Sequence, residues 1–235
     1  MKEYLKESAD KLSIHLTEEQ LEQFDIFYKL LIETNKSLNL TAITEMHEVV
    51  LKHFIDSIAI TKYIDFAEKR VIDVGTGAGF PGIPLAIIVP SAKFVLMDSL
   101  QKRLRFIENV IEKCQIENID TVHGRAEDIG QDLKYREKFD YCVSRAVAVL
   151  PVLLELCTPF VKVGGSFVSY KSELLEEEMK QSKKALSVLR CRIGEQYHYS
   201  IPDSDFYRVL AVFKKEGKLQ KKYPRQAGKP KREPL

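Results

Sequence analysis

The chain is predicted to be an α/β protein built on one open sheet of seven strands. The sheet is mostly parallel with its last strand antiparallel, and an N-terminal helical cap precedes it. Three observations predict this. From Arg70 onward, short apolar runs alternate with helical patterns, as in successive right-handed βαβ units. The first run leads directly into VIDVGTGAGFPGIPLAII (71–88), where Gly75, Gly77 and Gly79 separate a strand from a helix. The last two runs are joined only by Ile201-Pro202-Asp203-Ser204-Asp205, too short for a helical crossover, so they must pair antiparallel.

Residues 1–65 read as helical. Thr17 and Gln20 form a capping-box pattern, and Leu21, Phe24, Phe27, Tyr28 and Leu31 follow at helical spacing until the break at Asn35–Asn39. A second periodic segment runs through Val49, Val50, His53, Phe54, Ser57 and Ile58. Some sixty residues are too few for an independent core, so this part is expected to pack as a cap on the main domain, residues 66–214. Within that domain the predicted strands are 70–74, 93–98, 119–123, 139–144, 164–170, 192–200 and 206–214. Helical patterns cover 81–88, 100–114, 148–157 and 173–190, with Pro81 suited to the first helical position. Residues 215–235, with three prolines and two glycines among many lysines, read as an extended basic tail.

Composition narrows the class. A hydrophobic fraction of 45% beside 30% charged residues is ordinary for a globular protein, and no apolar run is long enough to span a bilayer. Met1 leads straight into KEYLKESADK, so no secretion leader and a cytoplasmic location are expected. The four cysteines (Cys114, Cys142, Cys157, Cys191) form no CxxC pair, which favours reduced buried thiols over a metal site. The net charge of +2 hides an asymmetry: residues 214–235 carry +7 and the first 213 residues −5. A basic tail on a mildly acidic body suits a polyanionic partner, although a solubilising terminus would look the same.

The glycine turn is the candidate cofactor site. Its glycines permit positive φ and close approach of a ligand, and the following helix N-terminus attracts an anionic group. Gly77, Gly79 and Gly82 also satisfy G-x-G-x-x-G, a weak signal shared with dinucleotide sites. Two carboxylates sharpen the choice. Asp98 ends the second strand, where an acid can accept hydrogen bonds from both ribose hydroxyls or can cap the next helix. Asp73 lies two residues before Gly75, where it would repel a pyrophosphate but attract the ammonium of a methionine moiety, directly or through water. Charge complementarity therefore favours S-adenosylmethionine over NAD. Gly124–Asp128, after the third strand, would sit beside the ribose acid and pack on the adenine edge, or would simply start a helix. Arg145, at the end of the fourth strand, points at the reaction site unless it forms a surface salt bridge. That strand lacks an (Asp/Asn)-Pro-Pro-(Tyr/Phe) ending, and no Pro-Cys dipeptide is present, which argues against amino-group methylation and against cysteine-activated methylation of a pyrimidine carbon.

With these residues in place, the chain resembles the bacterial small-subunit rRNA guanine-N7 methyltransferases of the RsmG (GidB) type. The resemblance runs through Asn39–Ile43, His53 with Asp56-Ser57, Asp73–Gly82, Asp98-Ser99 with Lys102-Arg103, Arg125–Glu127, Ser144–Ala148, and Lys222–Arg225 with Gly228 and Pro230. It implies a class I S-adenosylmethionine-dependent methyltransferase fold and methyl transfer to N7 of a guanine in 16S rRNA. The cofactor residues it implies are Gly75, Phe80, Ala126, Glu127 and Arg145, with Asp98 as the ribose ligand; Asp73 and Gly77 join them from the reading of the turn itself, and Arg145 is also the positioning candidate. The RNA-binding candidates are Lys102, Arg103, Lys171, Lys221, Lys222, Arg225 and Lys229, joined in the tail by Lys231 and Arg232. Lys171-Ser172 departs from the Lys-Gly of many members, which puts the role of that loop in doubt. The expected partners are 16S rRNA and the small ribosomal subunit, with no membrane and a monomeric chain. Three other readings stand beside this one: a methyltransferase of another substrate, an RNA-binding ribosome-assembly factor, and an NAD-dependent dehydrogenase.

Overall fold

The computed structural model describes residues 1–145, 148–171 and 175–235. The Ala146-Val147 part of the Ser144–Ala148 motif, Ser172, and the predicted helix start at 173 lie outside them. Seven strands form one sheet: β1 (Arg70–Val74), β2 (Lys93–Asp98), β3 (Ile119–His123), β4 (Phe139–Arg145), β5 (Val161–Lys171), β6 (Cys191–Ser200) and β7 (Tyr207–Lys215). Their order is β3-β2-β1-β4-β5-β7-β6, and β7 runs antiparallel to both of its neighbours. The last strand is thus reversed as expected, but it inserts between β5 and β6. Chain order reverses between β1 and β4, the switch point at which open α/β sheets bind ligands beyond their carboxyl ends.

On one face of the sheet, helix Glu18–Leu38 starts at a complete capping box of Thr17 and Gln20 and ends at Asn39 in the left-handed conformation. It buries Leu21, Phe24, Phe27 and Leu31 in a core shared with helices Gly82–Ile88 and Gln101–Lys113. Gln20 and Gln23 donate side-chain hydrogen bonds to Ile87 and Cys114 carbonyls. The next cap segment is irregular: helix Met46–Val49 passes into a π-helical stretch, Val50–Ile55, then into Asp56–Ile58 and a 3-10 turn, Ala59–Lys62. Pro81 stands just before helix Gly82–Ile88 rather than inside it. All four cysteines are free and buried, and no described helix is long and apolar enough to cross a membrane.

The opposite face corrects the reading of the tail. Residues 215–235 are not extended: Leu219, Tyr223 and Pro230 are buried, the first two in a core with helix Leu150–Cys157. Arg136 donates to the Leu219, Gln220 and Tyr223 carbonyls, and Gln131 to those of Lys221 and Pro224. Arg225 forms a bidentate pair with the fully buried Glu155, at 2.5 to 3.0 Å. Composition suggested disorder, but scattered apolar residues and satisfied carbonyls supply the folding energy that composition alone does not reveal. The predicted helix 173–190 also divides, into Leu175–Gln181 and Lys183–Val188, with Ser182 between them.

Candidate active site

The turn after β1 is held by its own backbone and by two acids. Gly75 and Thr76 donate N–H bonds to the Met97 carbonyl on β2. Asp98 accepts from Gly77 N–H (3.0 Å), Leu100 N–H (2.9 Å) and Arg103 Nη1 (3.4 Å), so it ties the turn to the residues that lead into the next helix. Gly77 has φ +63° and open space where a Cβ would stand, leaving its backbone bare toward the cavity. Asp73 lies beneath this layer, fully buried, with Oδ2 accepting from Thr76 Oγ1 (2.7 Å) and Gly82 N–H (2.9 Å). It is not on the cavity wall, and its Oδ1 has no hydrogen-bond partner among the described residues.

Burial raises the Asp73 carboxyl to about 7, against the opposing pull of Thr76 and Gly82. A carboxyl raised on folding holds its proton in the native state while the unfolded chain has lost it. Its contribution to stability is therefore present below the unfolded value and is lost as pH rises toward about 7. The ligand-free protein is expected to lose melting temperature between about pH 4 and 7. Asp73→Asn should flatten that part of the profile, and an unchanged slope in the variant would refute the assignment.

Above the turn lies a cavity of about 760 Å³. Its lining brings Gly75, Gly77, Phe80, Asp98 and Arg103 together with Thr41, Lys52, His53, Asp56, Arg145, Lys171, Glu178 and Arg208. Arg145 is anchored to the cap chiefly through one nitrogen. Its Nη1 donates to Asp56 Oδ2 (3.0 Å) and to the Lys52 (3.2 Å) and His53 (3.4 Å) carbonyls, in the π-helical stretch. Its guanidinium also lies 5.1 Å from the centre of the Phe80 ring. The alternative of a surface salt bridge is excluded by burial: the Arg145 side chain is 13% exposed and that of Asp56 3%. Asp56 Oδ1 further accepts from Arg208 Nε (3.0 Å) and Tyr199 O–H (3.3 Å), and Tyr170 O–H bonds the Ser57 carbonyl. His53 stacks on Phe80 with ring centres 4.5 Å apart. Burial and the Arg145 charge depress its pKa to about 3, so the imidazole is neutral.

The structure thus brings Gly75, Gly77, Phe80, Asp98, Arg103, Arg145 and Lys171 to one cavity, with Asp73 supporting it from below. Lys171 is paired there with Glu178 at 2.6 Å. Ala126 and Glu127 do not line it; the Glu127 carboxylate instead accepts the Gly228 N–H (2.8 Å) of the tail. Lys102 is exposed on the helix beside Arg103, and Lys221, Lys222 and Lys229 are carried on the docked tail. The pair with Glu155 occupies Arg225. Sequence reasoning missed Thr41, Asp56 and Arg208 as site residues. Asp56 carried a signal in its place beside His53, but Arg208 carried none, because only the insertion of β7 next to β5 brings it in.

Strand order, the reversed β7 and the glycine turn with acids at the ends of β1 and β2 define the class: Rossmann-like S-adenosylmethionine-dependent methyltransferases. Solved structures support the fold. TYW2 from M. jannaschii in complex with AdoMet aligns with TM-score 0.54 and 15% identity, covering 69% of this chain and 76% of that one. A SAM dependent methyltransferase from Aquifex aeolicus aligns with TM-score 0.55 and 15% identity, covering 77% and 97%. The family described as "GidB: rRNA small subunit methyltransferase G" matches residues 20–200. Relatives named ribosomal RNA small subunit methyltransferase G, from Alkaliphilus oremlandii and Acetivibrio thermocellus, are each 48% identical. They cover all of this chain and 99% and 97% of their own length. The chain belongs to the rRNA small subunit methyltransferase G family.

Proposed function

We propose that the protein transfers the methyl group of S-adenosylmethionine to N7 of a guanine in the 16S rRNA of the small ribosomal subunit, acting as a cytoplasmic monomer. One observation carries the reading: a single cavity at the switch point joins a bare glycine turn and Asp98 to Lys52, Arg145, Lys171 and Arg208, in a chain matched to its family over its full length. The residues present fit the cofactor. The open Gly77 backbone is a place where a ligand can approach, Asp98 on the cavity lining is taken as the acceptor for the ribose hydroxyls, and the buried Asp73 supports the turn from below. S-adenosylmethionine supplies an electrophilic sulfonium methyl and leaves as a neutral thioether.

The protein's own share is placement. Guanine N7 is a lone pair without a proton, so attack needs no general base, in keeping with a neutral His53. Alignment of the reacting atoms can supply about 7–11 kcal/mol of the barrier. N7 normally lies in the deep groove of A-form RNA, so the guanine must be presented unstacked. In this reading residues 1–65 cap the site, 66–214 hold the cofactor, and the tail cations Lys221, Lys222, Lys229, Lys231 and Arg232, with Lys102, meet phosphates. Removing one tail cation should weaken RNA binding uniformly across sequences and lower the salt slope by about one.

The deciding experiment incubates the protein with methyl-labelled S-adenosylmethionine and small subunits lacking the modification, then maps the label. One guanine labelled at N7, with incorporation lost after RNase treatment, is the expected result. Label on protein, or none, overturns the reading.

A further inference from the structure

We infer that Lys52 and Arg208 form a phosphate site at the cavity wall, gripping the RNA backbone next to the target guanine. The inference rests on the reading of the protein as an RNA guanine methyltransferase and assigns a site for that RNA outside the tail. Lys52 comes from the π-helical stretch and Arg208 from β7, yet both lie against one ring. Lys52 Nζ is 4.4 Å and Arg208 Cζ 5.6 Å from the centre of Phe206.

Two cations sharing an aromatic ring repel each other unless anions join them. The local carboxylates do not balance the charge: Glu48 pairs with Lys52 and Asp56 with both Arg208 and Arg145, leaving three cations against two acids. The Glu48 side chain is 48% exposed, so water screens that pair and a stronger anion can displace it. Asp56 holds Arg208 only through Nε. Among the described residues Nη2 makes no hydrogen bond, and the side chain, 25% exposed, lines the cavity.

The chemistry of the reaction selects the ligand. An arginine reading guanine in its usual bidentate way would cover O6 and N7, the very edge that must accept the methyl group. Arg103, Arg145 and Lys171 are held by Asp98, Asp56 and Glu178, so of the cations beside this cavity Lys52 and Arg208 are the ones left to bind the backbone. An unstacked guanine brings its flanking phosphodiester into the site, and a lysine–arginine pair on an aromatic surface suits that anion. Lys52 belongs to the cap side of the sheet and the tail packs on the other, so RNA would be held from both faces.

Steady-state methylation of unmodified small subunits at several salt concentrations tests the site. Lys52→Ala should raise KM for the subunit about tenfold, the effect of one charged hydrogen bond. Uniform binding is then what has been lost, so kcat should stay within about twofold. The slope of log KM against log salt should fall by about one. The affinity for S-adenosylmethionine by calorimetry and the melting temperature should not move. Arg208→Gln should act in the same direction, and if it fails to fold, Lys52→Ala, which removes only a partly exposed pair, decides alone. Unchanged KM and salt slope in Lys52→Ala, against a wild type that labels rRNA normally, overturn this site and leave the proposed function standing. A wild type that does not label rRNA overturns the function itself.

Discussion

Replacing Asp56 with alanine is expected to cost about 3–5 kcal/mol of folding stability, the usual consequence of removing one partner from a buried ion pair. Asp56 is the shared acceptor of Arg145, Arg208 and Tyr199. It also joins the cap to two strands of the sheet, since residue 56 belongs to the helical segment while Arg145 ends β4 and Arg208 lies on β7. Without the carboxylate, two guanidinium groups remain beside an apolar wall of Phe80 and Phe206 with no countercharge. Methyl transfer should fall below detection, because Arg145 would lose its orientation. Urea unfolding followed by circular dichroism measures the first effect. A variant within 1 kcal/mol of the wild type would refute the description of Asp56 as the hub. Asp56→Asn keeps the shape and one acceptor and should lie between the two.

Gly82→Ala is expected to remove S-adenosylmethionine binding while costing about 1–3 kcal/mol, the range for forcing atoms into a packed core. The difficulty is space: a Cβ at this position would stand 2.7 Å from Leu96 Cγ and 2.8 Å from Asp73 Oδ2. Leu96 and Asp73 are both fully buried, so neither can retreat without moving the turn. Displacing Asp73 breaks its bonds to Thr76 and Gly82, which hold the glycine backbone in place. Gly77→Ala provides the contrast. Its Cβ meets nothing within 4 Å, so its cost is the left-handed backbone, about 1–2 kcal/mol. It should fold nearly as well as the wild type yet bind the cofactor poorly. Melting curves and calorimetry follow both variants, and normal binding by Gly82→Ala would be incompatible with the packing described.

Much of the architecture was legible in the sequence. The runs Val71–Val74 and Phe94–Asp98 are short, apolar and bounded by polar or turn residues, and the strands lie where those boundaries place them. The capping box at Thr17 was equally readable as a local chemical signal, whereas the break read over Asn35–Asn39 holds the helix end only at its last residue, since the helix continues to Leu38. What escaped was non-local or compositional. A π-helical stretch of 6 residues is little more than one turn, so its wider i→i+5 period does not show in the apolar spacing over Val50–Ile55. The short link between β6 and β7 implied an antiparallel pair but not which member would lie against β5. Asp56 and Arg208 are 152 residues apart, and only the folded sheet makes them partners. In the tail, lysine, proline and glycine dominate the count, while a few residues such as Tyr223 and Arg225 decide the outcome.

The docking of residues 215–235 changes how truncation and RNA capture should be understood. A chain cut before Leu219 would strand the fully buried Glu155 carboxylate and uncover part of the core that Leu219 and Tyr223 close, so trimming there acts on folding before it acts on affinity. In the intact protein the same arrangement means that the tail lysines wait on a preset scaffold. An incoming polyanion then meets charges already fixed in place, and most of the entropy of immobilising that segment was lost when the protein folded.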